Sequence, residues 1–201
     1  MTRHKIAILI GSLREESINR KIALSVADFT KSMFDSRIVE IGDLPLYNED
    51  IDANPPPQYS RFRDEIAPAD GILFVTPEYN RGLPAAMKNA LDVGSRPYGH
   101  SVWDKKPAAI ISASPGPIGG FGANHQLRQS CVFLNMPVMQ QPEAYLGQAT
   151  ADKFEESGRL RDGPLKDFVM GLATAFAGWV DLIQHGKRKI AEDAAHERRV
   201  A

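Results

Sequence analysis

Short apolar runs alternating with stretches of helical spacing constrain this chain more than any other feature. Residues 6–10, Ile-Ala-Ile-Leu-Ile, stop at Gly11, and residues 71–75 stop at Thr76-Pro77. Apolar runs this short, without polar alternation, read as strands buried on both faces. Residues 37–41 and 106–113 are two further strand candidates, and a short last strand begins at Val138 and Met139. Between the first two runs, Ile18, Ile22, Val26, Phe29 and Met33 fall on one helical stripe. Phe168, Leu172, Ala175, Trp179 and Leu182 mark a long amphipathic final helix. Shorter helices are predicted over 59–67, 83–93 and 126–134, with Pro84 tolerated in a first turn. Residues 42–57 end in Asn54-Pro-Pro-Pro57, so they form a long surface loop. Residues 147–164 read as an irregular polar connection. Regular alternation of strand and helix implies a parallel sheet with helices on both faces.

Five strands suit the flavodoxin-like order 2-1-3-4-5, a three-layer α/β sandwich whose ligand lies beyond the carboxyl ends of the strands. One domain accounts for 201 residues. Residues 1–186 are assigned to it, and residues 187–201 to a charged tail that frays or projects. The net charge of −1 argues against general nucleic-acid binding, which needs a basic surface. No apolar run approaches the ~20 residues of a membrane span, and the N-terminus lacks a signal-peptide pattern. The single cysteine, Cys131, excludes an intramolecular disulfide and points to packing on the stripe of Leu127 and Leu134. The five histidines are scattered without metal-ligand spacing. A cytoplasmic protein without a metal site is the expectation.

In such a fold the loops after strands one, three and four converge. The first is Gly11-Ser-Leu-Arg-Glu-Glu-Ser-Ile-Asn19. It leads into a helix N-terminus, where unpaired N–H groups and a partial positive charge favour anions. Ser12, Ser17 and Asn19, flanking Ile18, add neutral donors, and Arg14 adds a charged fork. That set suits the three oxygens of a phosphate monoester. Ser17 or Asn19 taken singly reads equally well as a helix cap. Glu15 and Glu16 must face solvent, or they would repel the anion. The second loop, Thr76-Pro-Glu-Tyr-Asn-Arg-Gly-Leu-Pro84, is stiffened by prolines and offers backbone donors and an aromatic to a planar ring. The third, Ser114-Pro-Gly-Pro-Ile-Gly-Gly-Phe-Gly122, lets a backbone approach a ligand closely. A phosphate and a flat heterocycle describe FMN, and equally a mononucleotide in general.

Gly11-Ser-Leu-Arg-x-x-Ser-x-Asn19, Pro77-Glu-Tyr-Asn80, Pro84, Lys88-Asn-Ala-Leu-Asp92 and Ser95-Arg-Pro97 resemble the NADPH-dependent FMN reductase family. The likeness extends to Gly119-Gly120, Leu127-Arg-Gln129 and the stretch from Met136 to Glu143. It implies non-covalent FMN, with NADPH or NADH as co-substrate, in a homodimer or homotetramer. By motif, Ser12, Arg14, Ser17, Ile18 and Asn19 hold the phosphate. Pro77, Glu78, Tyr79 and Asn80 line the isoalloxazine, and Ser114, Gly119 and Gly120 close the other side. No side chain acts as a nucleophile, because the flavin carries hydride in ping-pong fashion to small acceptors: quinones, azo dyes or metal oxyanions such as chromate. Gly82 stands where the family often has Ser. Arg81 is a candidate contact for an acidic group of the pyridine nucleotide, and Arg128 and Glu143 a candidate pair across a subunit interface. The rival class is a non-catalytic flavodoxin-like electron carrier or flavin-binding module, and the near-neutral charge favours the enzyme over an acidic carrier.

Overall fold

Five parallel strands form the centre of the computed structural model, which describes residues 3–200. β1 (His4–Ile10) lies between β2 (Phe34–Val39) and β3 (Gly71–Thr76). β4 (Ala108–Ala113) pairs with β3, and β5 (Ala144–Leu146) closes the far edge, giving the order 2-1-3-4-5. Five helices connect and cover them: α1 (Ile18–Phe29), α2 (Pro57–Ile66), α3 (Ala85–Ser95), α4 (Phe121–Phe133) and α5 (Pro164–Val200).

Successive strand side chains point to opposite faces, and both faces are buried. Ile6, Ile8, Ile10, Leu73, Val75, Ala109 and Ile111 pack against Ile22 and Val26 of α1 and Leu172, Phe176 and Val180 of α5. Ala7, Leu9, Ile72, Phe74 and Ile110 pack on the other side against α2, α3 and α4. The second face is centred on Trp103, which is fully buried, with Phe62 edge-on at 5.9 Å between ring centroids. The Trp103 indole N–H donates to the Leu91 carbonyl at 2.9 Å.

Several boundaries differ from the sequence expectation, each for a local reason. β2 begins at Phe34, three residues early, because that ring anchors the edge strand edge-on against Phe176 at 5.9 Å. Val138 makes only a single bridge to Ala108. Pro142, without an N–H, follows, and the ladder resumes at Ala144. α4 begins at Phe121 rather than 126, directly after Gly120, whose φ of +76° ends the loop. The segment 151–161 is irregular, with a short 3-10 turn at Ala151–Lys153 and an isolated bridge from Phe154 to Leu160.

The charged tail, expected to fray or project, is helical as far as residue 200. α5 passes through Gly186 without a break and continues to Val200. Lys and Ala residues favour helix there, and Lys189 pairs with Asp193 one turn on at 2.7 Å. The expected domain limit at residue 186 therefore falls inside a helix. Among the described residues, no helix is long and apolar enough to cross a membrane.

Candidate functional site

The loop after β1 is held against the loop after β3. Gly11 donates its N–H to the Val75 carbonyl at 2.9 Å. A Cβ on Gly11 would stand 2.7 Å from the Thr76 hydroxyl oxygen, so only glycine permits this approach. The chain then turns through residues 12–16 into α1. Ser17 caps the helix: its Oγ accepts the Arg20 N–H at 3.2 Å. That hydroxyl still has its own proton to donate, so the capping and ligand-binding readings are compatible. α1 has no acidic residue in its first turn, which leaves its positive end unneutralised. Ser12 and Ser17 are buried beside it.

The charged residues of this loop separate as the anion reading requires. Glu15 and Glu16 are exposed, and Glu16 is held by Lys21 at 2.7 Å. The hydrogen bond and charge of Lys21 pull the Glu16 carboxyl below its usual pKa. Arg14 is exposed and has no carboxylate within salt-bridge distance among the described residues. Asn19 is buried. Its Nδ2 donates weakly to the Ala113 carbonyl at 3.4 Å, and its Oδ1 has no partner among the described residues. Ile18, half-buried, packs on the sheet beneath α1.

Tyr79 of the second loop faces Arg14 across a recess of about 380 Å³ lined also by Gly11, Leu13, Pro84, Ala85 and Ala86. Leu13 and Tyr79 are both about half exposed. Pro77 is fixed by the Thr76 hydroxyl, which donates to its carbonyl at 2.9 Å. Glu78 is tied to α4 by its carboxylate. Its Oε2 accepts the N–H of Ala123, in the first turn of α4, at 3.0 Å. Gln126 of α4 reciprocates: its Oε1 accepts the Leu83 N–H at 2.6 Å. Asn80 and Arg81 form the tip of this loop.

The third loop is stitched to the chain after β5. The Ser114 N–H donates to Leu146 and the Ala149 N–H to Ser114, both at 3.1 Å. The Ser114 hydroxyl donates to the Gly116 carbonyl at 3.1 Å. Gly119 has φ +64° and lies so close to Tyr145 that a Cβ would stand 2.5 Å from its carbonyl carbon. Gly120 packs against Ser112 and the Cβ of Glu78. Gly120 thus backs the second loop at Glu78.

Three supporting residues had no clear signature in the sequence. Leu13 lines the recess but reads as an unremarked apolar residue in a polar loop. Gln126 ties α4 to the second loop. Asn124, fully buried, donates to Ser112 Oγ at 3.2 Å and accepts from Arg128 Nε at 3.0 Å. A buried amide within a helix is the one trace that could have marked it. Arg128 also donates to the Met139 carbonyl at 3.0 Å, so its guanidinium is engaged within the chain. Cys131 is buried, and burial pushes its thiol up to about 12.

A doubly wound parallel sheet with an anion-selective helix end beside an aromatic-lined recess defines a mononucleotide-binding protein of the flavodoxin-like class. The donors at α1 fit a phosphate monoester. The apolar recess fits a planar ring, and the orphaned Asn19 Oδ1 offers an acceptor to a ligand hydroxyl. The family model for NADPH-dependent FMN reductase matches residues 4–151. A quinone reductase of Pseudomonas putida is 58% identical over 180 residues, 89% of this chain and 96% of that protein. A 2-hydroxy-1,4-benzoquinone reductase of a Burkholderia species is 42% identical over 176 residues, 88% of this chain and 96% of that protein. Among solved structures, the flavoenzyme NAD(P)H:acceptor oxidoreductase FerB of Paracoccus denitrificans superposes with a TM-score of 0.84 at 36% identity, covering 89% of this chain and 97% of that one. The chain belongs to the NADPH-dependent FMN reductase family.

Proposed function

We propose that this chain is an NAD(P)H-dependent quinone reductase that holds FMN at the α1 end of the sheet. The observation that carries the reading is the cluster of Ser12, Ser17, the exposed Arg14 and the first turn of α1, placed beside the Tyr79 recess. Backbone N–H groups of α1 and the Ser12 and Ser17 hydroxyls hold the phosphate, and Arg14 closes over it with a charge-assisted fork. Leu13, Tyr79, Pro84, Ala85 and Ala86 shelter the ring and exclude water from one side. Pro77 to Asn80 offer the ring edge a rigid backbone, because Glu78 and Gln126 fasten that loop to α4. Ser114 and the Gly119-Gly120 backbone close the other side of the ring. When bound, FMN would supply two-electron redox chemistry between NADPH or NADH and an acceptor, with ping-pong kinetics.

The acceptor class proposed is a small quinone, by likeness to the quinone reductases; azo compounds and chromate belong to the same proposal as secondary acceptors. A homodimer or homotetramer belongs to it as well. Tyr98, Val132 and Phe133 are each more than three-quarters exposed along the outer ends of α3 and α4. Tyr98 and Phe133 line a cleft of about 820 Å³ there, and covering that apolar surface with a second copy removes it from water. Sedimentation at several concentrations reads the assembly directly.

The purified protein is expected to be yellow, or to become so with added FMN, and to oxidise NADPH with a soluble benzoquinone. Reciprocal plots at several quinone concentrations should be parallel. Yellow protein without turnover would support an electron carrier instead. Protein that takes up no FMN would refute the site.

A further inference from the structure

The tip of the second loop carries an arginine where backbone geometry favours glycine. Tyr79 donates its N–H to the Gly82 carbonyl at 3.0 Å, and Gly82 returns the bond to Tyr79 at 2.9 Å. Asn80 and Arg81 between them have φ of +51° and +64°. Two left-handed residues closed by reciprocal hydrogen bonds are the signature of a type I′ turn, which favours Asn followed by Gly. Asn80 suits its place. Arg81 occupies the glycine place, where a side chain strains the backbone.

Among the described residues, no hydrogen bond from the Arg81 side chain offsets that strain. The Arg81 side chain is 75% exposed, and its nearest carboxylate oxygen, Glu78 Oε1, is 3.7 Å away. That carboxylate is already engaged by Ala123 through its other oxygen. The loop is nevertheless held firmly, by Gln126 on Leu83 and by α4, where a Cβ on Gly122 would stand 2.7 Å from the Arg81 carbonyl oxygen. A rigid, strained turn therefore presents a guanidinium with only a long ion pair to Glu78 among the described residues, beside Tyr79 and Pro84, which line the recess. Its planar fork matches a phosphate ester. The flavin phosphate has its own site at α1 with Arg14, and quinone acceptors carry no phosphate. The remaining phosphate-bearing ligand of the reaction is the nicotinamide co-substrate.

We propose that Arg81 binds a phosphate ester of the reduced nicotinamide dinucleotide. The proposal rests on the flavin-site reading above and names the residue that reads the second ligand of that site. Arg81→Gly removes the guanidinium and the backbone strain together, and Arg81→Lys keeps a positive charge. With benzoquinone as acceptor, kcat/KM for NADPH should fall about tenfold in the glycine variant and recover in large part in the lysine variant. Flavin content should hold, and the thermal midpoint of the glycine variant should stay level or rise. A loss confined to NADPH assigns the contact to the 2′-phosphate, and an equal loss with NADH assigns it to the pyrophosphate. Unchanged kcat/KM with both dinucleotides overturns the proposal. A lowered midpoint or lost flavin in Arg81→Gly also overturns it, because the arginine then serves the fold or the flavin. Wild-type protein that binds no FMN fails the site reading itself, and that is seen before any variant is compared.

Discussion

Replacing Glu78 should loosen α4 from outside the helix. Gly120 occupies the N-cap position of α4 and has no side chain to cap it. Glu78 supplies the missing acceptor from another loop, through Oε2 to the Ala123 N–H at 3.0 Å. The carboxylate is 12% exposed, so water replaces it poorly. A charge-assisted hydrogen bond in such a setting contributes ~1.5–3 kcal/mol, and its placement at a helix N-terminus acts in the same direction. Glu78→Ala should therefore cost about 2 kcal/mol, a fall of roughly 4–8 °C in midpoint for a chain of this size. Glu78→Gln keeps an oxygen acceptor without the charge and should lose about half as much. Thermal and urea unfolding of flavin-free protein read this directly, apart from any ligand effect. Midpoints within about 1 °C of wild type for Glu78→Ala would show that Ala123 finds water or another acceptor, and the coupling argued here would be wrong.

Ser12→Ala combined with Arg14→Ala should weaken FMN binding by roughly a hundredfold, from two lost phosphate contacts, while the apo midpoint stays put. Fluorescence titration of FMN separates this from misfolding, and retained affinity would move the phosphate elsewhere. Lys106 gives a pH test. Its ammonium donates to the Ala67 and Ala69 carbonyls at 2.8 and 2.7 Å, and burial, with Lys187 nearby, lowers its pKa to about 8. The unfolded chain then binds more protons than the folded one between about pH 8 and 10.5, so this residue's contribution to stability rises with pH across that window. Partial exposure limits the rise to about 1 kcal/mol, and Lys106→Met should abolish it in unfolding curves at pH 7.5 and 10. The Cys131 thiol, raised to about 12 by burial, should resist a thiol reagent at pH 8 in the folded protein and react on unfolding. Rapid native labelling would contradict its packing on α4.

The parallel sheet was legible because it follows from alternation, and alternation is a property of runs rather than of single residues. Ile6–Ile10 and Gly71 to Val75 are apolar on both faces only because helices cover both. The misplaced boundaries lie where a distant partner decides. Phe34 belongs to β2 because of Phe176, a residue far along the chain. β5 begins at Ala144 because Pro142 cannot donate to the ladder. α4 begins at Phe121 because Gly120 turns the chain and because Glu78, from another loop, supplies the acceptor its first turn lacks. Gly-Gly-Phe-Gly read alone is a loop, and nothing nearby in sequence announces that acceptor.

The same distinction divides the candidate site. Donors for an anion were readable in Gly11 to Asn19 because helix entry, hydroxyls and an arginine act locally on one turn. Within the second loop the family motif places Glu78 at the ring, and the fold adds a bond from the Ala123 N–H of α4 to its carboxylate. That bond has a functional consequence. With Glu78 held by Ala123 of α4 and Leu83 held by Gln126 of α4, the loop is braced on both sides of its tip, which leaves the side chains of Tyr79, Asn80 and Arg81 to meet ligands. A braced loop can hold a strained turn that a mobile one would relax. The cap on α4 and the left-handed Arg81 are therefore linked: releasing the first should let the second rotate out of its place. Glu78→Ala should accordingly lower kcat/KM for NADPH in the direction of Arg81→Gly, and the double variant should lose less than the product of the two single losses. Strictly multiplicative losses would show that the brace and the arginine act independently.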